Sequence, residues 1–190
     1  MTREDVLQII REAHDWDEAP DLRCANLAGV DLAEADLNGA DLNGANLNGA
    51  RLAGANLNGA RLAGARLARA NLFNASLAGA DLTRANLRGA NLTWAYLYRA
   101  NLAGASWDGF YVDGIHPYRC LLVPTPDGWT VTIGFWTGTV AGLRALISRD
   151  DDWPEATGGR LRLSAFCDLC DAHIATHPGV IDDLAARWSK

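Results

Sequence analysis

Leucine recurs at every fifth position from Leu22 through Leu102, seventeen times in succession, and alanine stands two residues ahead of it at Ala25 and from Ala35 through Ala105. The residue just before each leucine is mostly Asp, Asn or Arg, and pairs such as Asn38-Gly39, Asn43-Gly44 and Ala53-Gly54 follow it. A step of five matches neither the 3.6-residue helix nor the two-residue strand. On a helix it would spread the leucines around every face. The pattern instead predicts a chain that turns a corner after each pentad, with Leu and Ala inward and Gly-containing pairs at the corners. One such turn cannot bury its own leucines, so successive turns must stack. Only Pro20 and Val30 break the alanine series, and beyond Leu102 the ladder degrades through Trp107 and Val112.

These A-(D/N)-L-x-x pentads resemble the pentapeptide-repeat family over residues 20–114. The resemblance implies a mainly β fold, a right-handed quadrilateral β-helix in which four pentads complete one square turn of a solenoid. It would be flanked by an N-terminal helical cap over 1–19 and a small α+β domain over 115–190. The tail is also similar to those that accompany such repeats in some phage and actinobacterial proteins, although it shares no motif with them whose role could be carried over.

The flanks carry different periods. Val6, Ile9, Ile10 and Ala13 lie on one helix face, and Thr2 followed by Asp5 reads as a capping box. Past Gly114, the runs 118–123 and 129–134 around the turn signal at 124–128 predict a hairpin. Thr137 or Thr139 starts a helix through Val140, Leu143, Leu146 and Ile147. Leu163 to His177 reads as a second helix, and Pro178 separates it from a third that runs to Trp188.

With four pentads per turn, residues twenty apart stack, and the surface can be mapped. One face carries Asp21, Asp41, Arg61, Asp81 and Asn101, and the next carries Asn26, Asn46, Arg66, Asn86 and Ser106. The whole chain of 190 residues has a formal charge of −6, which disfavours non-specific nucleic-acid binding. Residues 20–112, however, hold eight arginines against six aspartates and Glu34. Arg66, Arg69, Arg84 and Arg88 are candidate partner-binding residues for an acidic surface. Trp94, Tyr96 and Tyr98 are candidates too, either as a partner patch or as a surface covered by the C-terminal segment. Family members that protect DNA gyrase resemble a length of acidic B-form DNA. That resemblance implies an alternative acidic face of Asp21, Asp41 and Asp81 and a gyrase or other topoisomerase partner. The arginines, and leucine rather than phenylalanine at every central position from 22 to 102, depart from that pattern.

Chemistry finds little to build on. Cys167, Cys170, His173 and His177 have metal-ligand types, but on one helix the first and last stand about 15 Å apart, too far for one four-ligand site. A pair of them could hold an adventitious ion; the simpler reading is a core stripe of Phe166, Cys170 and Ile174. Neither the carboxylates at Asp127, 150–152, Asp168 and Asp171 nor His116 fall in a catalytic motif. The glycines of 133–138 lack dinucleotide-fingerprint spacing. The expectation is a non-enzymatic module without cofactor, metal or catalytic residues that binds a protein partner and neither nucleic acid directly nor a membrane. The polar interruptions leave no membrane span, the acidic N-terminus does not read as a secretory peptide, and four scattered cysteines fit a reducing cytoplasm. Monomer and homodimer remain equally open.

Overall fold

A computed structural model describes residues 1–112, 120–133, 136–148 and 159–188. They fall into two compact units, Met1–Trp107 and Asp108–Lys190.

The first unit opens with α1 (Arg3–Asp15). Thr2 caps it: its hydroxyl accepts the Asp5 amide at 3.2 Å, and the Asp5 carboxylate accepts the Thr2 amide at 2.7 Å. Val6 and Ile10 are buried, and Arg3 donates to the backbone carbonyls of Asp31 and Ala33 at 2.6 and 3.4 Å, tying the helix to the first coil.

In a typical pentad of the ladder that follows, every backbone amide has a partner. Taking Asn46 to Ala50, the Asn46 amide donates to Ala25 in the coil before, while Leu47 and Gly49 donate to Arg66 and Ala68 in the coil after. The Ala50 amide closes a turn on Leu47, and the fifth, of Asn48, donates to the Asn46 side chain at 3.3 Å. Asp or Asn before the leucine is therefore the acceptor that the corner amide needs. The turn demands a positive φ at its third residue, as in type II turns. All seventeen such positions have φ between 54° and 69°, ten of them glycine and the others Cys24, Glu34, Arg69, Asn74, Arg84, Trp94 and Arg99. Leucines 27 to 82 are fully buried, and the alanines two residues ahead of them, from Ala35 to Ala80, are buried too.

These contacts correct the expected fold class. Each pentad contributes one residue to pairing, giving fourteen isolated parallel bridges such as Asp41↔Arg61 and Asn46↔Arg66, and no continuous strand forms between 21 and 106. A strand needs several consecutive paired residues, and a corner every five residues forbids them. Helices take 48 of the described residues and named strands 18, all of the latter in the second unit. The chain is therefore not mainly β, and the repeat is a stack of bridged turns in place of a continuous quadrilateral β-helix or β-solenoid.

The second unit is an antiparallel meander with helices. Strands β1 (Phe110–Val112), β2 (Cys120–Thr125), β3 (Gly128–Ile133) and β4 (Trp136–Gly138) pair in chain order. The β2–β3 turn is the two residues Pro126-Asp127, with Thr125 opposite Gly128, so it is shorter than the turn signal implied. Helix α2 (Val140–Ile147) is capped by Thr139, whose hydroxyl accepts the Gly142 amide at 3.0 Å. Helices α3 (Gly159–Thr176) and α4 (Val180–Trp188) follow. Cys120, Leu122, Val131, Ile133, Leu143, Phe166 and Cys170 form one core drawn from β2, β3, α2 and α3. The predicted strand start at 118, the strand end at 134, His116 and the acids 150–152 lie outside the described residues.

Candidate functional site

Arg66, Arg69, Arg84 and Arg88 are all exposed. Arg66 is a bridge residue, Arg69 and Arg84 occupy left-handed corner positions with φ 60° and 58°, and Arg88 follows a leucine. The amide of Arg69 donates to the carbonyl of Arg88 at 3.0 Å, which sets these two on adjacent coils. The stem of Arg84 lies over Gly104, where an added Cβ would stand 3.4 Å from its Cγ. None of the four has a carboxylate within ion-pair distance among the described residues. Other arginines of the unit do: Arg3 and Arg51 to Asp31 at 3.6 and 3.5 Å, Arg23 to Asp21 at 2.7 Å, and Arg61 to Asp41 at 3.6 Å.

An arginine at a bridge position removes the acceptor for its own corner amide. For Arg61 and Arg66 the loss is made good from the coil before, where the side-chain oxygens of Asn43 and Asn48 accept the amides of Ala63 and Ala68 at 2.9 and 3.1 Å. Asn58 does the same for Ala78 at 2.9 Å, above Ser76, and also accepts the Ser76 hydroxyl at 2.6 Å. For these three corners the signal in the sequence is an Asn twenty residues before the orphaned amide; Ala53, two residues after Arg51, has Ala33 there instead.

The aromatic candidates gather in the next turn. Tyr96 and Tyr98 stack with ring centres 6.0 Å apart, and Arg99 lies 5.1 Å from the Tyr98 ring centre. Trp94 is 74% exposed, so a large apolar surface faces solvent at a corner with φ 62°. The acidic alternative is largely engaged by its own chain. Arg23 holds the Asp21 carboxyl down to about 2, Asp41 faces Arg61, and Asp81 accepts the amide and hydroxyl of Thr83.

In the second unit the Cys/His series does not converge. Cys167 and Cys170 are buried in the core, and burial pushes the Cys170 thiol up to about 12. His173 Nε2 lies 2.9 Å from the Asp108 carbonyl, and its ring stacks on His177 at 3.9 Å. Among the described residues no group of three or more His, Cys, Asp and Glu side chains could hold a metal ion. Nor, among them, is any helix long and apolar enough to cross a membrane.

The pentapeptide-repeat family model matches in eight copies over residues 21–59, 50–89 and 65–104. The chain belongs to the pentapeptide-repeat family. Similar solved structures include HetL, a pentapeptide-repeat protein involved in heterocyst differentiation regulation in the cyanobacterium Nostoc sp. strain PCC 7120. It is 38% identical over 47% of this chain and 45% of its own, with a TM-score of 0.38, so this chain spans less than half its length. A pentapeptide-repeat protein of the Arabidopsis thaliana thylakoid lumen is 26% identical over 76% of this chain and 88% of its own, with a TM-score of 0.45. QnrB1, a plasmid-mediated fluoroquinolone resistance protein, is 21% identical over 45% of this chain and 47% of its own, with a TM-score of 0.38. No curated protein matches the chain.

Proposed function

We propose that this chain is a non-enzymatic protein-interaction module whose repeat unit displays fixed side chains to a protein partner. The observation that carries the reading is the group of four exposed arginines without a carboxylate partner among the described residues, on a ladder where Arg23, Arg51 and Arg61 each meet an aspartate. Hydrogen bonds from their own amides hold the backbone at all four positions, so binding has side chains but little backbone to order. Trp94, Tyr96 and Tyr98 extend the candidate surface.

The second reading, a DNA-like ligand of gyrase or another DNA-binding protein, shares the non-enzymatic binding role and follows the family's gyrase-protecting members. It would use Asp21, Asp41 and Asp81, which share one face of the ladder. Gyrase-type topoisomerases are therefore the first partner class to test. Capture of partners by the full chain, followed by a supercoiling assay on any topoisomerase recovered, tests both readings. Binding lost on neutralising the three aspartates and kept on reversing the arginines selects the DNA-like ligand. The opposite result selects the arginine surface. Failure to retain any protein under either condition rejects the interaction role itself.

A further inference from the structure

We infer that Arg66, Arg69, Arg84 and Arg88 form a docking site for a carboxylate-rich protein segment; the inference rests on the protein-binding reading above. The ladder itself shows what such arginines pair with. Arg51 and Arg61 each sit one coil after an aspartate, Asp31 and Asp41, and reach its carboxylate at 3.5 and 3.6 Å. At Arg66, Arg69 and Arg84 the twenty-residue offsets supply no acid, whereas Arg88 has Ala68 twenty residues before it and Asp108 twenty after. Arg66 bridges to Asn46 and Asn86. Arg69 stacks between Gly49 and Gly89, and Arg84 between Gly64 and Gly104. Around Arg66, Arg69 and Arg84 the carboxylates that answer arginine elsewhere in the stack are replaced by neutral or side-chain-free residues, so an incoming acidic segment has both charge and room.

Two independent features show that these arginines occupy positions the fold would give to other residues. Arg69 and Arg84 stand at left-handed corners, where ten of seventeen pentads carry glycine. Arg66 displaces the Asn or Asp that serves its corner amide, and Asn48 supplies the replacement acceptor.

The test uses the full chain and an oligoglutamate peptide, titrated by fluorescence anisotropy at low and physiological ionic strength, with a duplex DNA as competitor. The double variant Arg69→Gly with Arg84→Gly installs the residue the corners prefer, so its melting temperature should hold or rise. Its peptide affinity should fall roughly tenfold. Arg66→Glu with Arg88→Glu should abolish binding and with it the salt dependence. The inference is overturned if the wild type does not bind the peptide, if the glycine variant binds it equally well, or if duplex DNA displaces it at lower charge concentration. Should both variants still capture a protein partner as the wild type does, the acidic-segment assignment falls while the interaction role stands.

Discussion

The two units of this chain reach stability by opposite routes. In the repeat unit backbone partners recur at fixed offsets, three residues away within a turn and nineteen or twenty-one between coils, and the leucines of successive coils are buried in register. In the second unit one core gathers residues as far apart in sequence as Cys120 and Cys170. The ladder's stability is a sum of near-identical neighbour terms, whereas the second unit's core is shared by all its elements. A defect in the ladder should stay local in effect; a defect in the other should be felt by the whole unit.

Cavity variants give the largest separation. Phe166 is fully buried in the shared core, so Phe166→Ala should cost about 3–5 kcal/mol and unfold the second unit at 25 °C if its own stability is no greater. Leu62, mid-ladder and equally buried, should cost about 2–5 kcal/mol on change to alanine. Hydrogen exchange locates the damage: loss of protection across β2, β3, α2 and α3 in the first variant, and concentrated near the coil of Leu62 in the second. Uniform loss across 1–107 in the Leu62 variant would break the neighbour-sum picture.

A smaller effect separates two asparagines of the same pentad position. Asn58 accepts the amide of Ala78 and the hydroxyl of Ser76, whereas Asn38 is exposed and directs no side-chain hydrogen bond to another coil. Asn58→Ala should cost about 1 kcal/mol or somewhat more. Asn38→Ala should stay within roughly 0.5 kcal/mol. Urea denaturation of the two variants side by side decides it, and equal losses would deny the corner bond any weight.

This pair also shows how far the sequence could be read. A strict five-residue period placed the leucines and alanines inside, and the capping box at Thr2, the threonine before Val140 and Pro178 marked helix ends, because those signals are local. The role of Asn58 depends on what stands eighteen and twenty residues later, Ser76 and Ala78, a pairing that appears only once the stacking offset is applied. Mainly β character was over-read, since repetition of single bridges was equated with strands. The short strands β1 and β4, three residues each, are too brief for any period to announce. The arginine and aromatic candidates were legible as exceptions on a monotonous surface. That Arg69, Arg84 and Trp94 sit at left-handed φ was hidden, because those corners carry glycine in most other pentads.

The left-handed corners supply the third comparison. Glu34 has φ 61° and is exposed, and its side chain makes no hydrogen bond or ion pair among the described residues. A left-handed conformation costs a non-glycine residue about 1–2 kcal/mol. The extra freedom of glycine in the unfolded chain returns roughly 0.5–1 kcal/mol of that. Glu34→Gly should therefore raise stability by about 0.5 kcal/mol, readable as a small upward shift in melting temperature. A fall would mean that the corner is unstrained for any residue.

Titration offers the last and smallest contrast, because the units should weaken at opposite ends of the pH scale. Hydrogen bonds from Arg23 hold the Asp21 carboxyl at about 2 in the folded ladder, against 3.8 ordinarily. Above about pH 4 the group is ionised in both states and its stabilisation is complete. As pH falls from there through 2, the unfolded chain takes up the proton first, and stability is lost. Burial raises the Cys170 thiol from 9.0 to about 12, so the sign reverses. Below pH 9 both states keep the proton and nothing changes. Between 9 and 12 the unfolded chain releases a proton that the folded core retains, and stability declines. Denaturation midpoints followed across both limbs, by hydrogen exchange resolved to each unit, should show Asp21→Asn flattening only the acid limb of the ladder. Cys170→Ala should flatten only the alkaline limb of the second unit. An Asp21 variant that leaves the acid limb unchanged would show that the pair with Arg23, open to solvent, adds no net stability, and that the ladder's acid response comes from its other carboxylates.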